Sequence, residues 1–287
     1  MAGDINKDNS FLIRFRSSVI LMIITVASIV LGGYVLWGVT LIVTLIGMME
    51  LYRAVRANRA PAAFVGYLAA IGWYVLLLLG FINNNKGLED EKGLALLVAV
   101  FLIILLAFYV FGFPKYNSEQ ITMIFFGLFY VAFTLSCIFR LRISAGGAYT
   151  VWLIFIGSWG ADTSAYLVGR KIGRHKIVPV LSPKKSLEGF IGGVVGAVLI
   201  GIIYALIFKK QLSAYFASPV IAFAVISAVA SVVSMIGDLA ASAIKRNKEI
   251  KDYGRLIPGH GGILDRFDSV IFIAPIVYYL VIFTGTA

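Results

Sequence analysis

The sequence predicts an all-α protein that crosses a lipid bilayer about nine times, and three observations carry that prediction. The first is composition: 60% of the 287 residues are hydrophobic and 14% are charged, with a mean hydropathy of +0.95. A soluble domain carries about 25% charged residues, and a disordered chain is poor in apolar groups, so both classes are excluded. The second is a series of uncharged runs, each close to the roughly 20 residues that cross about 30 Å of hydrocarbon as a helix. The third is the placement of the basic residues, which favours one side of the membrane.

Seven runs are clear: residues 61–85, 93–114, 120–139, 143–161, 189–208, 211–237 and 269–287. An earlier run, 17–49, is long enough for one oblique helix or two short ones, and Gly32-Gly33 near its middle suggests a tight turn between two. With nine crossings, nineteen of the 25 Lys and Arg residues fall on one face; with eight, only sixteen do. The positive-inside rule therefore favours nine, with the N-terminus cytoplasmic. The first run is too long for a signal-peptide core, and no small-x-small cleavage site precedes a polar start, so it is read as retained. The net charge of +11 has the same topological explanation, and nucleic acid is not expected as a partner. The lone Cys137 lies in an apolar run and reads as a packing residue. No dinucleotide fingerprint, P-loop or paired-cysteine metal spacing occurs, and no internal repeat is evident.

Ionisable groups inside apolar runs are costly, about 2.5–3.5 kcal/mol each at a helix centre on insertion scales. Three carboxylates stand out: Glu50, Asp162 and Asp238. Glu50, three residues before Arg53, reads as half of an interfacial ion pair. Ser158, Asp162, Tyr166 and Gly169 step by four, four and three, so a helix puts them on one face, followed by Arg170 and Lys171. That stripe lines a cavity or makes an interhelical hydrogen bond. Ser234, Asp238, Ser242 and Lys245 repeat the same spacing, and a purely structural stripe would not need a carboxylate so deep.

Two basic connections accompany them. In the first, LSPKKSLEGFIGG, Ser182 is an expected N-cap and Pro183 an expected first helical residue. Lys184 and Lys185 then fall in the first turn, where free N–H groups and ammonium groups would attract an anion, although flanking lysines are also ordinary topology signals. The second, residues 242–269, holds Lys245, Arg246, Lys248, Lys251, Arg255 and Arg266 with Asp252, Asp265 and Asp268. Between them lies Pro258-Gly259-His260-Gly261-Gly262, where glycines let backbone approach phosphate oxygens. His260 reads equally as base, ligand, phosphate donor or a neutral loop residue. Carboxylates beside cations suit a polyphosphate carrying magnesium or manganese; zinc would want histidine and cysteine.

The stretch from Ser242 to Asp268 resembles the signature of the phosphatidate cytidylyltransferases, or CDP-diacylglycerol synthases. That pattern is S-x-hydrophobic-K-R, four residues, K-D-x-small, two residues, hydrophobic-P-x-H-G-G, two residues, D-R-hydrophobic-D. It is met at Ser242, Ile244, Lys245, Arg246, Lys251, Asp252, Gly254, Ile257, Pro258, His260, Gly261, Gly262, Asp265, Arg266, Phe267 and Asp268. GADTSAYLVGRKIGRHK and SPKKSLEGFIGG upstream are similar to family segments too, as is GDL at 237–239. Motif-level resemblance covers roughly residues 157–269.

The resemblance implies a magnesium-dependent, multi-pass membrane enzyme, in a bacterial-type cell membrane, that turns CTP and phosphatidic acid into CDP-diacylglycerol and pyrophosphate. It also implies a homodimer. Asp238 and Asp265, 27 residues apart on helices flanking the basic loop, are the expected metal ligands for one or two cations. Lys184, Lys185, Lys245, Arg246, Lys251 and Arg266 are expected to contact phosphates, with Ser182, Ser242 and Tyr166 as further substrate contacts. The backbone of Gly261 and Gly262 is expected to meet the triphosphate. Asp162 would hold a second cation or orient a lysine, and Asp252, His260 and Asp268 would orient other groups. Residues 1–140 are expected to form a transmembrane scaffold. Residues 141–287 are expected to form the catalytic region, with cytoplasmic loops 170–187 and 243–267. A CTP-dependent polyprenol or phytol kinase would lack the complete signature. An ion-coupled transporter would use Asp162 and Asp238 without needing so many phosphate-binding groups on one side.

Overall fold

The structure, a computed structural model, describes residues 2–83, 91–259 and 261–285, with side chains from residue 15 onward except at 91 and 92. His260 lies outside the described residues. Helices form most of it, and among the described residues no strand is present, only isolated bridges between Lys176 and Ser186 and between Ile257 and Gly261. Among the described residues, eight helical stretches are long and apolar enough to cross a membrane.

The chain divides into two compact units: residues 1–136 with 248–267, and residues 137–247 with 268–287. The first unit begins with α1 (Ala2–Leu31) and α2 (Gly33–Ala54). The long apolar run is therefore two helices, broken where Gly32 and Gly33 take φ of 61° and 47°, a region other residues avoid. The apolar part of α1 is Phe15–Leu31, shorter than the eight spanning stretches. Next come α3 (Pro61–Ile82), with proline in its first turn, α4 (Glu91–Phe111), and α5 (Ser118–Gly127). Asn117 and Gln120 close the start of α5 with a reciprocal capping box. A π-helical turn, Leu128–Phe133, joins α5 to α6 (Thr134–Ile143) in one spanning stretch.

Several buried polar groups in this unit find partners inside it, as hydrocarbon favours. The fully buried Tyr52 donates to the Ile124 carbonyl at 3.0 Å, and Trp73 Nε1 donates to Ser136 Oγ at 2.9 Å. Thr44 Oγ1 and the Tyr74 hydroxyl share a hydrogen bond of 2.8 Å, and Trp37 Nε1 donates to the Tyr74 carbonyl.

The second unit contains the short α7 (Gly147–Thr150) and α8 (Trp152–Phe155), a π turn (Ile156–Gly160), and α9 (Ala161–Ile172). Together they make one spanning stretch, Gly147–Ile172, which extends past the uncharged run 143–161 and places Asp162 within it. Then follow α10 (Leu187–Ile207), α11 (Lys209–Leu212), α12 (Pro219–Asn247) and α13 (Leu264–Thr284), whose first turn belongs to the first unit. Helix α10 packs against both α9 and α12. Its contact with α9 runs along small residues: a Cβ on Gly193 would stand 3.0 Å from the Ala161 carbonyl, and one on Gly189 would stand 2.9 Å from that of Ala165. At about 1.5 Å per residue α12 is longer than the hydrocarbon is thick, so a helix entering at Pro219 reaches the far boundary near Asp238.

Candidate active site

Within the second unit, α9, α10, α12 and the connection 173–186 enclose a cavity of about 400 Å³. Its walls are mainly apolar, with Ala165, Phe190, Val194 and Met235 among them, while Asp162, Tyr166, Arg170, Lys184, Lys185, Ser186 and Ser231 supply polar groups. Volume and lining fit a small amphiphilic ligand. The close approach of α9 and α10 fixes one wall. The other is fixed by α12, where Ser231 points its hydroxyl back to the Ala228 carbonyl at 2.8 Å.

The connection 173–186 is folded by its own polar groups. Glu188 accepts hydrogen bonds from the backbone N–H groups of Arg174 (3.0 Å) and His175 (3.2 Å) and bonds the His175 ring at 2.5 Å. Ile177 N–H donates to the Lys185 carbonyl, so residues 185 and 186 are extended. This corrects the expected helix start. The N-cap of α10 is Ser186, whose hydroxyl accepts from Gly189 N–H at 3.2 Å. Ser182 sits in a turn in which its carbonyl accepts from Lys185 N–H. Lys184 and Lys185 therefore precede the helix. Helical backbone cannot begin at Pro183, because the pairing of Lys176 with Ser186 holds the chain extended until the helix starts at Leu187.

Charges gather at one end of the cavity. Lys185 Nζ forms an ion pair with Asp238 Oδ2, both half-buried. Asp162, Asp238 and Asp268, from α9, α12 and α13, are near enough for their charges to act on one another, with Lys185 acting on Asp162 and Lys245 on Asp268. Asp268 Oδ1 also accepts from Ser269 N–H at 2.8 Å. Ser234, Asp238, Ser242 and Lys245 do share the one continuous helix α12. Ser158 lies in the π turn, where the α-helical register of the expected stripe is lost; such turns recur at functional sites. The hydroxyls of Ser158 and Ser234 are buried without a hydrogen-bond partner among the described residues.

Within the first unit, the glycine-rich segment is built differently. Asp265 Oδ2 accepts from the N–H groups of Tyr253 (2.8 Å) and Gly262 (2.9 Å), and Ile257 N–H donates to the Gly261 carbonyl at 2.9 Å. The Gly262 N–H expected to meet a triphosphate is thus engaged inside the loop. Gly261 takes φ of 90°, with Asp252 packed against it. Lys251, Asp252 and Arg255 are exposed, Arg266 is half-buried in the first turn of α13, and Arg246 is exposed at the end of α12. Lys248 pairs with Glu119.

Glu50 is the residue the sequence misjudged. It is 1% exposed, and it accepts hydrogen bonds from Ile263 N–H at 3.1 Å and Leu264 N–H at 2.8 Å, 213 and 214 positions away. It is an internal anchor, not an interfacial partner of Arg53. The signal available was that a carboxylate inside an apolar run must find donors, but nothing local says which.

Among the described residues no three Asp, Glu, His or Cys side chains converge closely enough to cage a metal. Magnesium does not require such a cage: it keeps several waters and is usually held by one or two carboxylates plus substrate phosphates. The hard oxygens at Asp162, Asp238 and Asp268 fit that chemistry.

A polytopic, all-helical membrane protein with a cation-rimmed apolar cavity is one class of protein; the comparisons make it narrower. The family described as cytidylyltransferase matches residues 12–284, and the chain belongs to it. It is 30% identical over 244 residues to the phosphatidate cytidylyltransferase of Bacillus subtilis strain 168, covering 84% of this chain and 87% of that protein. To the phosphatidate cytidylyltransferase of Synechocystis sp. it is 32% identical over 298 residues, covering 94% and 96%. To that of Staphylococcus saprophyticus it is 28% identical over 273 residues, covering 94% and 98%.

Proposed function

We propose that this chain is a phosphatidate cytidylyltransferase, transferring CMP from CTP to phosphatidate in the membrane and releasing pyrophosphate. The observation that carries the reading is the cavity beside α9, apolar along its walls and rimmed by Arg170, Lys184 and Lys185. A lipid phosphomonoester presents the matching chemistry: acyl chains for the apolar walls and a dianion for the cations.

In the reaction a phosphatidate phosphate oxygen attacks the α-phosphorus of CTP, a P–O bond forms, and the bond to the bridging oxygen breaks as pyrophosphate leaves. The nucleophile is already anionic near neutral pH, so positioning and charge neutralisation do most of the work. Lys184, Lys185 and Arg170 hold the lipid phosphate, and Tyr166 and Ser231 border it. Lys245, Arg246, Lys251 and Arg266 are assigned to the triphosphate, with Ser182, Ser242 and the orienting roles of Asp252, His260 and Asp268 resting on the motif resemblance. Bound magnesium, held through Asp238 and its neighbours, supplies charge neutralisation on the triphosphate and the leaving group. Asp265 as a second ligand, and a second cation, rest on the resemblance alone.

Nine crossings, with α1 as the ninth, a cytoplasmic N-terminus and a cytoplasm-facing site complete the reading and are supported by the distribution of basic residues. A homodimer is supported by the resemblance only. The test uses purified full-length protein in vesicles with phosphatidate and CTP labelled in the cytidine. Label should enter the lipid phase with release of pyrophosphate, stop on chelation and return with magnesium. Inserted, folded protein that leaves all label in water would overturn the reading.

A further inference from the structure

Glu50 has no part in the chemistry above, yet it is a carboxylate withdrawn almost wholly from solvent near the end of α2. Burying such a group is expensive unless charge-assisted hydrogen bonds compensate. Its two oxygens receive Ile263 N–H and Leu264 N–H, which are the first free backbone donors of α13. The residues just before that helix are Gly261, Gly262 and Ile263, none of which carries a side chain able to cap it. The cap comes instead from a helix more than two hundred positions earlier.

The seat is shaped for the carboxylate. A Cβ on Gly254 would stand 2.2 Å from Glu50 Oε1, and one on Gly262 would stand 2.4 Å from both oxygens, so a methyl at either position would have to push the carboxylate aside. The next residue of the helix, Asp265, uses Oδ2 to close the loop through Tyr253 and Gly262. Ser17 adds a further tie by donating to the Pro258 carbonyl at 3.1 Å. The order of dependence is plain: Glu50 fixes where α13 begins, and the start of α13 fixes Asp265 and Arg266.

We infer that Glu50 is a positioning residue, whose buried carboxylate sets the start of α13 and thereby holds Asp265, Arg266 and the glycine-rich loop in the arrangement cytidylyl transfer uses. The inference rests on the transferase reading for its consequence and on geometry for its structural half, and the two can be tested separately.

The experiment compares full-length wild type, Glu50→Gln and Gly254→Ala in vesicles, by amide hydrogen exchange and by steady-state kinetics. Glutamine keeps one acceptor and turns an NH2 group toward a donor; the Gly254→Ala methyl displaces the carboxylate without removing it. Both should speed exchange in peptides covering 253–266 while leaving α9 and α10 unchanged. Both should also lower kcat about 10–100-fold and raise the magnesium concentration needed for half-maximal rate. Unchanged exchange in 253–266, or a rise spread over every peptide, overturns the positioning role. If Glu50→Gln does not fold, Gly254→Ala decides alone. Wild type that transfers no label while Glu50→Gln still loosens only this segment sinks the transferase reading and keeps the clamp. Active wild type with Glu50→Gln matching it in both measurements sinks the clamp and keeps the transferase.

Discussion

The cavity beside α9 and the segment leading into α13 start from similar materials, cations next to apolar helices, and they end in opposite states. In the segment before α13 the donors are already used: Tyr253 and Gly262 by Asp265, Ile263 and Leu264 by Glu50. At the cavity, Arg170 and Lys184 are exposed and have no ion-pair partner among the described residues, and only Lys185 is neutralised, by Asp238. A site that spends its donors internally is preorganised but closed, and one that leaves cations open must wait for an anion. On the proposed reading the two have different tasks: the first holds groups still, the second receives a substrate.

The sharpest way to break that contrast is to neutralise one carboxylate in each region. Asp238→Asn and Asp265→Asn should each cut turnover by about 10²–10³-fold or more, with membrane insertion and helical content unchanged. The substitution is informative at Asp265 because asparagine keeps an oxygen that can still accept from Tyr253 and Gly262. The loop then stays closed, and any loss reports the missing charge. Near-normal turnover in either variant, measured on inserted protein, would remove that residue from the metal-binding assignment.

Lys185→Met sharpens the receiving side. It deletes an ammonium at the cavity rim and leaves Asp238 without its partner. The expected result is a fall of about 10–100-fold in kcat/KM for phosphatidate, since a hydrogen bond to a charged group is worth about 1.5–3 kcal/mol. Equal losses for CTP and lipid would show that the lysine serves both substrates and that the cavity is not the lipid's own. Val194→Trp tests the apolar wall. The larger ring fills space that the acyl end needs, so KM for phosphatidate should rise about tenfold with KM for CTP unchanged. A rise in the CTP value instead would give the cavity to the nucleotide.

Sequence and structure agree where the governing physics is local. Uncharged runs become helices because hydrocarbon leaves the backbone no other partner, and the break at Gly32-Gly33 follows from the positive φ adopted there. The shared face of Ser234, Asp238, Ser242 and Lys245 needs only an unbroken helix, which α12 provides. The readings that failed depend on distant partners. Glu50 looked interfacial because Arg53 was its nearest charge in sequence, while its donors lie on another helix. The stripe through Ser158 assumed a uniform register that the π turn at Ile156–Gly160 interrupts. Of the candidate site, the cluster of Asp238 with Lys185 and Asp162 joins residues that were each visible in the sequence, but their assembly depends on how α9, α10 and α12 pack.

The misassigned cap yields the smallest effect and a clean one. Ser182, the cap expected from the sequence, and Ser186, the cap observed, stand four residues apart. Backbone pairing of Lys176 with Ser186 decides between them, because a residue held extended fits the N-cap and cannot lie inside the first turn. Ser186→Ala should therefore cost about 1 kcal/mol, the usual value for a lost cap, seen as a lower thermal midpoint in detergent. Ser182→Ala should leave the midpoint where it was, since that hydroxyl caps no helix. Because Lys184 and Lys185 hang from the strand-like turn before the cap, Ser186→Ala should also loosen the cavity rim, raising KM for phosphatidate a few-fold and leaving kcat almost unchanged. If Ser182→Ala were the destabilising change, the helix would begin at Pro183 after all, and both lysines would return to its first turn.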